Sequence, residues 1–365
     1  MLRKFFLLTG ILLGLPLLGV VLAGLPLDRY LEFPPQTRYV HHAPFSWAVF
    51  GGYGLFIFAA VSPLVLRALR AENRPAAIAA PRYPFPWWGW PGLFSGLIFW
   101  ILAWTRFHWF ARLQPHTFTP LWLSFILVMN ALLFKRKGSC LLSERRGFFL
   151  SLFPASAVFW WFFEYLNRFV QNWHYVGVRY DPGEYFLYAT LSFSTVLPAV
   201  MSVREWLLTF TWLQNGFKKY AVFNFCGNRR IAGYLLLLPA AAGLMLTGVR
   251  PDYFFSLLWL APLIVLVSLQ VLSGESHVLA GAATGDWRLI IASALAALVC
   301  GWFWEMWNFY SLAKWQYSIP YVERFRIFEM PVLGYAGYLP FGLQCTAVCE
   351  LIASLPGLKP KSLEA

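Results

Sequence analysis

Apolar runs of about bilayer length alternate with short polar segments along this chain. A transmembrane helix needs roughly 20 predominantly apolar residues, and windows of that kind occur ten times in the sequence. The windows are 5–24, 45–66, 91–105, 117–134, 147–166, 184–202, 231–249, 253–272, 289–308 and 332–354. The pattern therefore predicts an all-α polytopic membrane protein with about ten transmembrane helices.

Composition and charge add an orientation to this prediction. The chain of 365 residues is 59% hydrophobic and 12% charged, with a formal net charge of +13. Such basicity in a soluble chain would favour a nucleic-acid partner, but most Lys and Arg here fall in the loops on one side of the windows. By the positive-inside rule this bias predicts a bacterial inner-membrane protein with both termini in the cytoplasm, and no nucleic-acid partner.

The first window has two interpretations. Its apolar run follows Met-Leu-Arg-Lys, and Val21-Leu22-Ala23 would serve as a signal-peptidase site, so a cleaved secretory signal remains open. The run continues past the usual length of a signal core, which favours a retained anchor.

Two stretches of the chain, WFFEYLNRFVQNWHY and WFWEMWNFYSLAKWQY, nearly repeat each other. Each ends an apolar run with Trp-x-x-Glu-x-x-Asn. This spacing places Glu164 and Asn167 one turn apart on the same face of a helix, and it does the same for Glu305 and Asn308. We expect the rest of the chain to hold this pair of carboxylates.

The surrounding sequence extends the repeat. A Trp-x-Tyr and then a second glutamate follow each motif: Trp173, Tyr175 and Glu184 in the first copy, and Trp315, Tyr317 and Glu329 in the second. A period of about 140 residues with three windows per copy predicts a duplicated three-helix unit whose copies run parallel. The resulting division is an N-terminal three-span region 1–116, repeat unit 117–204, an interfacial helix within 205–230 plus a linking span up to 252, and repeat unit 253–365.

The predicted topology brings all four glutamates to the outer side of the membrane. A carboxylate in a span costs roughly 2.5–3.5 kcal/mol on insertion scales, so such a group usually faces the bundle interior. Removal from water disfavours its charged form, and a neutral carboxylic acid between aromatic walls is suited to protonating an alkene, whose cation Trp and Tyr faces would then stabilise. We therefore assign catalysis to Glu164, Glu184, Glu305 and Glu329, and substrate contacts to Asn167, Trp173, Tyr175, Asn308, Trp315 and Tyr317.

The order of an acid at a helix end, Trp-x-Tyr, and then Glu at the next span resembles the three-helix modules of the membrane lycopene cyclases, over residues 117–202 and 253–354. The resemblance implies a non-redox cyclase, isomerase or hydratase acting on an apolar isoprenoid or carotenoid lipid, with no cofactor. Glu184 and Glu329 match the acidic signature of that family by position. The family carries Pro-x-Glu-Glu there, whereas this chain has a single Glu at each place.

Three alternatives remain open. The same residues would serve a non-enzymatic membrane subunit or lipid-binding scaffold in which they only lock the copies together, with Arg168 neutralising Glu164. Intramembrane glutamates also suit a proton-coupled transporter. A metal site is a third alternative, because five of the six histidines fall on the predicted outer side, but the sequence lacks the paired His spacings of membrane desaturases. Phosphate-binding loops, serine-hydrolase elbows and Cys ligand pairs are also absent from the sequence.

Overall fold

The computed structural model describes residues 2–71, 83–223 and 228–358, with side chains from residue 7 onward, and these residues are mostly helical. The α-helices are α1 Leu2–Leu22, α2 Asp28–Leu31, α3 Trp47–Arg70, α4 Gly89–Trp104, α5 Phe118–Lys137, α6 Leu141–Glu144, α7 Arg146–Val170, α8 Pro182–Phe193, α9 Val196–Leu207, α10 Thr211–Phe217, α11 Arg229–Thr247, α12 Pro251–Phe254, α13 Leu257–Leu272, α14 Arg288–Phe309 and α15 Tyr338–Ala353. The strands are β1 Trp173–Val176, β2 Lys314–Tyr317, β3 Arg326–Ile327 and β4 Met330–Pro331.

Seven stretches of the described chain are helical, long and apolar enough to cross a membrane, the pattern of a multi-pass membrane protein. They are Trp47–Arg70, Gln114–Lys137, Arg146–Val170, Pro182–Leu207, Arg229–Thr247, Arg288–Phe309 and Val332–Ala353. Three shorter apolar helices, Leu7–Leu22, Gly89–Trp104 and Leu257–Leu272, fall in the other predicted windows. The helical membrane architecture is thus confirmed, whereas ten crossings and the duplication stay predictions.

The window predicted at 184–202 is one apolar stretch with an internal break. Helix α8 ends at Phe193 and α9 begins at Val196. The buried Ser156 hydroxyl of α7 enters this break, where it donates to the Phe193 carbonyl (2.5 Å) and accepts from the Leu197 amide (3.0 Å). A side chain that satisfies freed backbone groups in this way is a recognised cause of helix kinks.

The loops meet in two groups, one at each end of the bundle. At the first end, which we name the site end, the Ser46 amide donates to the Tyr321 carbonyl (2.9 Å) and the Ser318 amide donates to the Asn172 carbonyl (2.9 Å). At the opposite end, Arg67 donates to the Gly216 carbonyl (2.7 Å). The polar connections of the bundle are therefore joined to one another at both ends.

The segment predicted to contain a surface-lying helix forms the end of one helix and a second, short one, and its place at the membrane surface stays a prediction. Helix α9 continues to Leu207, and the following α10 is short and packs against α3 and α14. Leu213 and Phe217 of α10 are buried inside the bundle, whereas Trp206, Phe210 and Trp212, which suggested the membrane-surface helix, are only partly buried. Residues 224–227, including Cys226, lie outside the described chain, as do Arg74, Arg82 and the tail from 359.

Candidate functional site

The two glutamates of the repeated motif lie in the last turns of α7 and α14, near the site end. Glu164 and Glu305 are both 0% exposed. The helix periodicity that predicted an inward-facing Glu and Asn pair therefore describes the structure correctly, because Asn167 and Asn308 are buried as well. The apolar walls around each pair come from neighbouring helices and from the loop that follows.

Three aromatic donors surround Glu164. Its Oε1 accepts hydrogen bonds from Trp160 Nε1 (3.0 Å), Trp173 Nε1 (3.1 Å) and the Tyr175 hydroxyl (2.6 Å). Its Oε2 is buried and has no hydrogen-bond partner within the described chain. Glu164 thus has one oxygen with three donors and one with none.

Glu305 has a related but different set of partners. Its Oε1 accepts from the hydroxyls of Tyr317 and Tyr338, each at 2.7 Å. Trp315 Nε1 donates to the Tyr317 hydroxyl (2.9 Å), not to the carboxyl group, so it acts through the tyrosine. The Oε2 of Glu305 is also buried without a partner among the described residues.

The two asparagines hold the strands that carry the aromatic donors. Asn167 Nδ2 donates to the Trp173 carbonyl (2.8 Å), and Asn308 Nδ2 donates to the Trp315 carbonyl (2.8 Å). The Oδ1 of Asn308 also accepts from the Trp315 amide (2.9 Å). Each asparagine thereby fixes the turn that leads from the helix into the Trp-x-Tyr strand. These contacts are positional, and a substrate contact by either asparagine stays a prediction.

Strands β1 and β2 pair with each other and so connect the two motifs. The antiparallel register places Trp173 opposite Tyr317 and Tyr175 opposite Trp315. Side chains two residues apart in a strand face the same side, so both Trp-x-Tyr pairs face the bundle. Burial raises the pKa of Tyr175 and of Tyr317 well above the usual value, which keeps both phenols protonated as donors.

Aromatic rings fill the space between the two acids. The aromatic residue just before each glutamate packs on a tryptophan in the first long helix of the other unit, α13 or α5. Phe163 packs on Trp259 (5.3 Å between centroids), and Trp304 packs on Trp122 (4.9 Å). Phe341, fully buried, has its ring centroid 5.4 Å from that of Phe163 and 6.2 Å from that of Trp304. The acids therefore belong to one continuous aromatic cluster.

The second pair of predicted glutamates does not join this cluster. Glu184 is exposed and forms a capping box at the start of α8, where its amide donates to Asp181 Oδ1 (2.8 Å). Glu329 is buried, and it pairs with Lys314 (2.5 Å between Nζ and Oε1). The expected convergence of four carboxylates is thus reduced to two buried acids, an ion pair and a helix cap.

No cation neutralises either buried acid within the described residues, where neither Glu164 nor Glu305 forms an ion pair. Arg168, one turn beyond Glu164, instead donates to the carbonyls of Tyr30 and Glu32. The sequence-based alternative in which Arg168 neutralises Glu164 is not supported by these contacts.

Histidines of the site end are engaged individually. His42 Nδ1 lies 2.6 Å from Asp252 Oδ1, and the His116 ring packs on Tyr188 at 4.3 Å. In the parts of the chain that the structure describes, no three His, Cys, Asp or Glu side chains are grouped as a metal site would need.

A large groove of about 1990 Å³ runs along the bundle beside this cluster. Helices α1, α7, α13 and α15 contribute to its walls, and it extends from Tyr30 at the site end to Asp286 at the opposite end. Neither Glu164 nor Glu305 lines it. Phe159 does, and its ring packs on Phe163 (5.1 Å) and Phe341 (5.8 Å), so one aromatic layer separates the groove from the acid cluster.

Sequence reasoning missed three residues that shape the site. Trp160 lies four residues before Glu164, a spacing that places it on the same helix face and could have identified it. Gly301 holds the matching position before Glu305, and a Cβ there would lie 2.4 Å from the Tyr338 ring, so the glycine makes room for that tyrosine. Tyr338 comes from a different helix, and no local pattern indicated it.

No protein-family model, curated protein or solved structure matches this chain. The likeness to membrane lycopene cyclases therefore stays a prediction, and the fold and the site support only the broad class of a helical multi-pass membrane protein with two buried carboxyl groups.

Proposed function

We propose that this chain is an integral membrane enzyme that carries out acid–base chemistry on an apolar isoprenoid-type lipid, as a cyclase, isomerase or hydratase that uses no redox cofactor. The observation that carries the proposal is the state of Glu164 and Glu305. Both are fully buried, both have one oxygen bonded only by aromatic donors, and both have a second oxygen that finds no partner among the described residues. An unpaired buried ion is costly, so a neutral acid is the form that fits this environment.

The proposed chemistry follows from that form. A neutral carboxylic acid transfers its proton to one alkene carbon, so that an O–H bond breaks, a C–H bond forms and the other alkene carbon becomes cationic. Aromatic faces such as those of Trp160 and Trp304 stabilise the cation. The carboxylate left by that transfer then removes a proton from a neighbouring carbon, so the double bond forms at a new position and the neutral acid is restored. No electrons are gained or lost.

The membrane arrangement belongs to the same proposal. We infer ten crossings from the seven long and three shorter apolar helices, with both termini in the cytoplasm of a bacterial inner-membrane protein. The two units 117–204 and 253–365 are inferred to be parallel copies. Support comes from contacts made twice, namely the asparagine bond to each Trp-x-Tyr strand and the ring packing that precedes each glutamate.

Access to the acids requires the aromatic layer to open. We propose that the lipid lies in the groove and reaches the acids when Phe159 and Phe341 move aside, because these rings separate the two spaces. Phe341 contacts both Phe163 and Trp304, so its displacement would join the groove to the volume between the acids.

One observation favours a second function. Because neither acid lines the groove and aromatic rings fill the intervening space, the chain would also suit a lipid-binding scaffold in which both glutamates lock the bundle. A proton-coupled transporter is a further alternative, but no contact at the site favours it specifically.

The deciding experiment is mass spectrometry of lipids and pigments from cells with and without the protein. We expect one isoprenoid species to be consumed and an isomer or hydrate to appear, and Glu305→Gln to abolish the change while folded protein persists in the membrane. Glu144→Gln, an exposed change at the opposite end, is the matched control. An unchanged lipid profile refutes the enzyme proposal, and equal loss of folded protein in Glu305→Gln favours the scaffold. Proton uptake into vesicles that disappears in Glu305→Gln would identify a transporter.

A further inference from the structure

The groove is not uniformly apolar. Its middle is lined by residues such as Leu12, Phe162 and Leu266, while polar side chains line it near the opposite end of the bundle. The polar lining there is Gln214, Glu275, His277, Asp286, Arg288 and Glu350. Glu32 and Arg168 line it at the site end. A cavity with a long apolar middle and polar ends fits an amphiphile better than a pure hydrocarbon.

Two of the polar side chains make no hydrogen bond within the described chain. Gln270 is 6% exposed, lines the groove, and has a buried Oε1 without a partner. His277 lines the same end, and its Nδ1 is also buried without a partner. Burial, and next the charge of Arg229, lower the pKa of His277, so at neutral pH its ring is uncharged and offers one donor and one acceptor. Buried polar groups are normally satisfied, so the pair is suited to a ligand's polar group.

The unpartnered atoms at this end favour an uncharged ligand group. Arg288 is engaged by Asp286 through Nε and Nη2 (2.9 and 2.6 Å) and donates to Gln214 Oε1 (2.7 Å), so its guanidinium group already has protein partners. Gln270 Oε1 is an acceptor and needs a donor. A hydroxyl supplies such a donor and can also bond to the His277 ring, whereas an ionised phosphate or carboxylate group only accepts hydrogen bonds.

The distance from this polar end to the acid cluster is set by α13. Trp259 of α13 packs on Phe163, next to Glu164, and Gln270 lies eleven residues further along the same helix. At 1.5 Å per residue the two levels are about 16 Å apart. A lipid held at Gln270 therefore presents to the acids a part of its chain that is remote from its polar group.

We propose that the groove binds a linear lipid alcohol, with its hydroxyl between Gln270 and His277 and its chain directed along α7 and α13 toward the aromatic layer. The isoprenoid nature of the chain rests on the proposed function, whereas the choice of an uncharged hydroxyl rests on the groove. In this arrangement the reaction takes place at the end of the lipid that is distant from its hydroxyl group.

Binding of tritiated geranylgeraniol to the purified full-length protein in detergent tests the proposal. We expect saturable binding of the alcohol, and competition by geranylgeranyl diphosphate at least tenfold weaker than by unlabelled alcohol, because an ionised diphosphate has no hydrogen to donate to Gln270 Oε1. Gln270→Leu should weaken binding of the alcohol about tenfold, as expected for loss of a buried hydrogen bond. Ser268→Ala is the matched control, since Ser268 is a buried residue of α13 that does not line the groove and whose hydroxyl has no partner in the described part of the chain.

Each outcome has a defined meaning. Tighter binding of the diphosphate, or equal binding in Gln270→Leu and wild type, overturns the proposed polar site. A second variant, His277→Phe, should also weaken binding, and an unchanged affinity would remove the histidine from the site. If binding is as expected but Glu305→Gln leaves the lipid profile unaltered, the proposed function fails and the binding site stands. If product formation needs Glu305 but the alcohol does not bind, only the site proposal fails.

Discussion

The surroundings of Glu164 and of Glu305 show how one short motif reaches the same result by different contacts. Near Glu164, the position four residues earlier is Trp160, whose indole donates to the acid itself. Near Glu305, that position is Gly301, and the space admits Tyr338 from α15, whose hydroxyl donates instead. In the first unit the position that corresponds to Tyr338 is Val196, since Tyr338 lies two residues before Pro340 and Val196 lies two residues before Pro198. The valine side chain has no hydrogen-bond donor. Each buried carboxyl group thus receives a hydrogen bond from a further aromatic side chain, which lies on α7 for Glu164 and on α15 for Glu305.

The two repeat units differ most in their second glutamate, Glu184 or Glu329. Substitution of these two residues gives the largest predicted difference in the free energy of unfolding. Glu329→Gln leaves the partly buried Lys314 without its carboxylate, and we expect a loss of about 3 kcal/mol in the free energy of unfolding, the low end for breaking a buried pair. The exposed Glu184→Gln should change that free energy by no more than about 0.5 kcal/mol, as is typical of surface positions. Unfolding of both variants in mixed micelles, followed by tryptophan fluorescence, checks this. Equal effects would mean that the two glutamates have equivalent roles.

The next effect concerns the position four residues before each buried glutamate, which is Trp160 in the first unit and Gly301 in the second. Gly301→Ala places a methyl group against the buried Tyr338 ring, and the crowding should cost about 1–3 kcal/mol and disturb the bond to Glu305. The matched control is Gly54→Ala in α3, where a Cβ meets no atom within 4 Å. That change should stabilise the helix by about 0.5–1 kcal/mol. If Gly301→Ala behaved like the control, the space at Gly301 would not be what admits Tyr338.

The number of donors on each acid predicts a smaller difference. Tyr338→Phe leaves Glu305 with Tyr317 alone and should cost about 1–3 kcal/mol. Tyr175→Phe leaves Glu164 with two indole donors, so its cost should lie near about 1 kcal/mol. Unfolding free energies of the two variants under identical conditions provide the measurement. A larger cost for Tyr175→Phe would contradict this ranking of the two networks.

The smallest predicted effect comes from the residue between Trp and Tyr in each Trp-x-Tyr strand. This residue is His174 in the first strand and Gln316 in the second. Burial lowers the pKa of His174, with a weaker opposing influence from Glu323. The folded protein therefore holds the neutral ring, and the stability this contributes is complete above the unfolded pKa near 6.5 and decreases as pH falls below it. His174→Gln makes the strands alike and should remove this part of the pH dependence. Unfolding midpoints between pH 5 and 8, about the range in which histidine changes charge, would show it, and an identical profile in the variant would refute the assignment.

Local patterns predicted the helices and the inward faces of the site, but not the contacts between distant elements. Apolar windows located α7 and α14, and Glu-x-x-Asn spacing identified Glu164 and Glu305 as buried. The same reasoning treated Glu184 and Glu329 as equivalents, because sequence cannot show that Lys314 pairs with one and that the other caps a helix. For the segment around α10 the location at the membrane surface stays a prediction, because apolar residues in a sequence do not reveal whether lipid or protein covers them.

The pairing of β1 with β2 has a consequence for synthesis of the chain. Residues 173–176 pair with residues 314–317, about 140 positions later, so the strand that bears Trp173 and Tyr175 lacks this partner while the C-terminal half is made. An unpaired strand edge is a template for wrong association. Ribosomal or proteolytic truncation before residue 314 would leave that edge open at the membrane face, a signal by which quality-control proteases could recognise an unfinished chain.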